Sequence, residues 1–120
     1  MMSKTLVIST HFKENLEKAT LPWVAANAAL AADKEVTVFL QGPSVEMAKQ
    51  GAVAGLRSEP FPPLEELIGT YRESGGKILL CGPCMKAHAV DPEAVLEGAE
   101  VAGAAALIGL ADEAAITFNY

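Results

Sequence analysis

The chain has 120 residues, 51% of them hydrophobic, and a formal net charge of −6 with histidine neutral. That length suits one hydrophobic core, so residues 1–120 are expected to form a single domain. The acidic balance argues against nucleic acid and anionic membrane as partners, because both call for a basic surface.

Residues 5–9, Thr-Leu-Val-Ile-Ser, read as a first strand. The run is β-branched and nearly all apolar, as expected of a strand covered on both faces. A loop with His11, Lys13 and Glu14 follows, then a long helix to about residue 32. Leu16, Ala19, Trp23, Ala26 and Leu30 mark its apolar face. Pro22 should kink this helix, since it cannot donate to the preceding turn. Lys13 and Glu14 read as solvated.

Residues 36–40 form strand two, and Pro43 or Ser44 opens a short helix over 45–50. The prolines of 59–63 block regular structure and read as a rigid connector. Its apolar residues are also the candidates for contacts with a partner. Residues 64–74 form a helix with Leu64, Leu67, Ile68 and Tyr71 on one face, stopped by Gly75-Gly76. Residues 77–80 are strand three.

That strand runs into Cys81-Gly82-Pro83-Cys84. Asp91 and Pro92 then open a helix over 92–97. Residues 98–103 are a turn with at most a short strand, 104–110 a helix and 115–118 the last strand. Strands alternating with helices give an α/β fold, a three-layer α/β/α sandwich with a mainly parallel sheet of about five strands. In outline it is flavodoxin-like. Such sheets place their chemistry at the C-terminal edge of the strands, where strand three delivers its thiols.

Two cysteines this close cannot staple a fold. Free thiols fit a reducing cytoplasm. No signal-peptide-like apolar stretch follows residues 1–5, and the longest weakly polar runs, 23–32 and 101–111, are too short to span a bilayer.

Several readings compete for the pair. Cys-Gly-Pro-Cys is the tetrapeptide of thioredoxin, yet thioredoxin-like domains carry it early and need a cis-proline loop after it. Here only 36 residues follow Cys84, and no Thr-Pro or Ser-Pro pair is among them. A metal site is poorly supplied. Cys81, Cys84 and His88 make three ligands, with His11 as a fourth from a neighbouring loop, and structural zinc needs four. Both thiols could also be buried core. No cofactor is expected, since Gly-x-Gly-x-x-Gly and the P-loop pattern are missing. A non-catalytic oligomeric scaffold or regulator stays open.

Taken together, the 5–9 strand with its loop and long helix, the 36–40 strand, Cys81-Gly82-Pro83-Cys84-Met85 after strand three, the Glu97-Gly98-Ala99-Glu100-Val101 turn and the closing strand resemble the DsrE/DsrF-like family of small sulfur-relay proteins. The resemblance implies a DsrEFH-like fold. It implies that Cys84 accepts sulfane sulfur as a persulfide and hands it on, as a sulfur carrier or sulfurtransferase, with thiol-bearing donor and acceptor proteins. Cys81 stands where some members carry a second cysteine. The resemblance also implies a homotrimer or homohexamer with the cysteine near subunit contacts.

Persulfide transfer needs an exposed, partly ionised thiol. Free amides of a helical turn beginning near Cys84 are expected to favour its thiolate. Lys86 and His88 would add positive charge, and His11 should project from the same sheet edge as a base or charge partner.

Overall fold

The computed structural model describes residues 2–120. Five strands form one parallel sheet: β1 (Lys4–Ser9), β2 (Glu35–Leu40), β3 (Lys77–Cys81), β4 (Glu100–Ala102) and β5 (Ile116–Asn119), in the order β4-β3-β2-β1-β5. The helices are α1 (Leu16–Ala31), α2 (Leu64–Glu73), α3 (Gly82–Ala87) and α4 (Ala104–Glu113). Short 3-10 helices span Lys13–Asn15, Gly42–Ala48 and Pro92–Ala94.

Side chains alternate between the two faces of a strand, and the register keeps like with like. Val7 pairs with Val38 and Leu40 with Leu80. These residues, with Val36 and Ile78, join Trp23 and Ala26 of α1 and Ile68 and Tyr71 of α2 in one core. Leu6 and Phe39 have the opposite parity and are also buried. Over that second face α4 crosses from β4 at one edge to β5 at the other. The α/β/α layering expected from the sequence is therefore present, and every strand pairing is parallel.

α1 runs through the buried Pro22 without a break. Asn15 caps it, its Oδ1 accepting from the Lys18 amide at 3.1 Å. α2 ends in a Schellman motif, with the Gly76 amide donating to Tyr71 O and the Gly75 amide to Arg72 O. Gly75 stands at φ +88°, a conformation that suits glycine.

Two expectations need correcting. The helix expected over 92–97 is a single 3-10 turn, because Val95 bridges Lys49 and the Leu96 amide donates to Ala48 O at 2.8 Å. Those long-range backbone bonds take the groups a helix would use. The helix expected over 45–50 is the 3-10 helix Gly42–Ala48. The 59–63 connector holds itself together, Arg57 Nε donating to Phe61 O at 2.7 Å, and Phe61 is half-buried. Large exposed apolar side chains also lie at Val101, Ile108, Ile116 and Phe118.

Candidate functional site

β3 is an interior strand, flanked by β2 and β4. Its apolar residues Ile78 and Leu80 are buried and fix its direction. The strand extends one residue further than expected, to Cys81, which pairs with Ala102 of β4. α3 begins immediately, at Gly82, with Pro83 in its first turn. Cys84 is thus the third residue of α3. Both thiols are free and half-buried.

Cys81 is the N-cap of α3, and Cys84 stands three residues on. Those two positions face each other across a helix's first turn, as in a capping box. Cys81 makes no side-chain capping hydrogen bond. The two cysteines nevertheless act on each other. Burial pushes the Cys81 thiol up, the adjacent Cys84 thiol pushes it further, and the Cys84 amide pulls the other way. Pro83 has no N–H to offer, and the Cys84 amide acts on the Cys81 sulfur.

The surrounding cations are differently placed. Lys86 is exposed on α3 and makes no ion pair among the described residues. His88 is the C-cap of α3, its amide donating to Cys84 O at 3.0 Å. Its Nδ1 lies 3.2 Å from Oε2 of Glu46, on the 3-10 helix that α3 packs against. His11 leaves β1, two strands away from β3, which is about 10 Å at normal strand spacing. Its Nδ1 is 2.6 Å from Glu14 Oε2. Glu14 is therefore more than a solvated carboxylate. The Phe12 amide donates to it at 2.6 Å, and that bond first, then His11, holds its carboxyl below the usual range.

Sequence reasoning missed Glu46, which lies 42 positions before His88. It also missed Ser44, whose Oγ lies 2.6 Å from Ser9 O and ties the β1 and β2 loops together at this edge. The His11–Glu14 pair could have been found from its spacing of three ahead of a helix. Among the described residues no cluster of three or more His, Cys, Asp or Glu is placed to hold a metal ion. A cleft of about 370 Å³ lies at the other end of the strands, lined among others by Lys4, Thr37, Lys77, Glu100 and Glu113, and neither cysteine borders it. No helix among the described residues is long and apolar enough to cross a membrane.

A model of the DsrE/DsrF-like family matches residues 2–120. Over 110 residues the chain is 32% identical to the uncharacterized protein MJ0989 of Methanocaldococcus jannaschii, which covers 92% of this chain and 93% of that one. It is 27% identical over 103 residues to MJ0760 of the same organism, 86% of this chain, and spans 38% of that relative's length. The ychN protein from E. coli superposes with a TM-score of 0.77 over 100% of both chains at 13% identity, a likeness of fold.

Proposed function

The chain belongs to the DsrE/DsrF-like family, and from that premise we propose that it is a sulfur-relay protein carrying sulfane sulfur as a persulfide on Cys84. The observation that carries this reading is a free, half-buried Cys84 just beyond the C-terminal end of an interior strand, with a second thiol beside it. Sulfur moves between proteins by thiolate attack on a sulfur–sulfur bond. That chemistry needs a thiol reachable by another protein's thiol rather than one sealed in the core. In this reading Lys86 brings positive charge toward an anionic donor, and His88 and His11 contribute from the end of α3 and the β1 loop.

Assembly as a trimer or hexamer belongs to the same reading, and α4 supports it. Residues 104–111 carry no charged side chain, and Ile108 is 63% exposed. A helix apolar on all sides is normally a buried one.

Incubation with a polysulfide donor followed by intact-mass measurement tests the proposal. Wild type should gain the mass of one sulfur atom, C84A should gain none, and C81A should still gain it. A wild type that stays unmodified with several donors would sink the reading and favour a non-catalytic scaffold. A second reading, thiol–disulfide exchange, is favoured by the mutual influence of the two cysteines. Its mark would be rapid turnover of a disulfide substrate in the presence of thioredoxin reductase.

A further inference from the structure

The loading step proposed above does not call on Cys81, which sits at the adjoining turn position, free and half-buried. We propose that Cys81 is a resolving thiol, which discharges the Cys84 persulfide as hydrosulfide and closes a Cys81–Cys84 disulfide. This gives the site an activity beyond carriage, and it rests on the sulfur-relay reading above.

The step balances within the protein. Cys81 gives up its proton, and its thiolate attacks Sγ of Cys84. The bond between Cys84 Sγ and the sulfane sulfur breaks. Its electron pair leaves with the sulfane sulfur, which takes up a proton and departs as hydrosulfide. The Cys81 sulfur is formally oxidised by one electron and the departing sulfur is reduced by one. A single turnover needs no outside reagent. Resetting the pair needs an external dithiol, which is oxidised to its own disulfide as it reduces this one.

The placement favours this step. An attacking thiol on the neighbouring turn position has a large advantage over one arriving from solution. Burial disfavours the Cys81 thiolate. A loaded Cys84 is thereby left time to meet an acceptor, and discharge becomes the slower default. The titratable groups around the pair are Lys86 on α3 and His88 at its C-cap, Glu46 on the 3-10 helix, Glu100 on β4, and Lys77 and Glu35 at the far ends of their strands. Among these partners it is Cys84 that acts on Cys81.

The 120-residue chain, loaded with polysulfide and freed of donor under anaerobic conditions, tests the proposal. Released hydrosulfide is trapped with monobromobimane while intact mass is followed. Wild type should release one hydrosulfide per loaded chain and finish two hydrogens lighter than the reduced protein. C81S should hold its extra sulfur, discharging at least ~10-fold more slowly. Release from wild type should also quicken as pH rises toward the raised ionisation of Cys81, a measurement that requires no variant. Run in reverse, hydrosulfide added to oxidised wild type should regenerate the persulfide. If C81S loads but discharges as fast as wild type, or the wild-type rate is flat with pH, resolution by Cys81 is overturned and the carrier stands. If no form takes up sulfur, the carrier reading fails and this one with it.

Discussion

Tyr71 holds more of this fold than its place in one short helix suggests. Its ring is buried edge-on against Trp23, at 5.4 Å between centroids and 70° between planes. Its hydroxyl donates to Lys77 O at 2.6 Å and lies 3.1 Å from Val36 O, joining α2 to β2 and β3. The ring also lies over Gly76, where a Cβ would run into it. Tyr71→Phe should therefore cost about 1–2 kcal/mol in urea unfolding, the loss of a buried hydroxyl bond. Gly76→Ala should cost more, because the ring has to move. Burial raises the Tyr71 phenol far above its ordinary 10.0. The folded state then keeps a proton that the unfolded chain loses, so Tyr71's contribution to stability falls as pH climbs past about 10. Y71F should flatten the alkaline side of a plot of unfolding midpoint against pH. At this scale the sequence displayed the thiols and their spacing plainly. It could not display Glu46 opposite His88, because a pairing across 42 positions exists only after α3 has packed on the 3-10 helix.

Among the elements, the strands were the most legible. Runs such as Val36-Thr37-Val38-Phe39-Leu40 are buried on both sides, and such strands announce themselves as unbroken apolar stretches. Segments whose backbone bonds go to distant partners were the least legible. Asp91 and Pro92 do open a turn, with Asp91 Oδ1 accepting from the Glu93 amide at 2.9 Å, and the bridge to Lys49 then stops it. Around the thiols the fault was one of phase. The strand takes in Cys81 and the helix starts at Gly82, which moves Cys84 a full three residues into α3. α4 carries its own prediction. Its outer side is apolar, so Ile108→Glu should leave thermal stability close to wild type while light scattering shows a fall from oligomer to smaller species. A wild type that is already monomeric would remove the case for α4 as a contact.

For the whole molecule, alternating strands and helices were enough to give a parallel sheet between helical layers. They were not enough to give the order of the strands. β4 and β5 are consecutive in the chain yet occupy opposite edges, linked by ten-residue α4 across the full width of the sheet. One helix spread over five strands leaves that face thinly covered, which is why the cleft between Lys77, Glu100 and Glu113 opens there. The C-terminal end of α4 is tethered at the surface, with Lys4 Nζ 2.7 Å from Glu113 Oε2.

The same strand order sets how the fold would answer a mechanical load. β1 and β5, the first and last strands, lie side by side and parallel, from Thr5 opposite Ile116 to Ile8 opposite Asn119. Tension applied between Lys4 and Asn119 would pull the two strands past each other lengthwise. All the rungs between them would then bear the force at once, where an antiparallel pair held at its open ends would unzip one rung at a time. In an optical trap the chain should yield in a single abrupt event.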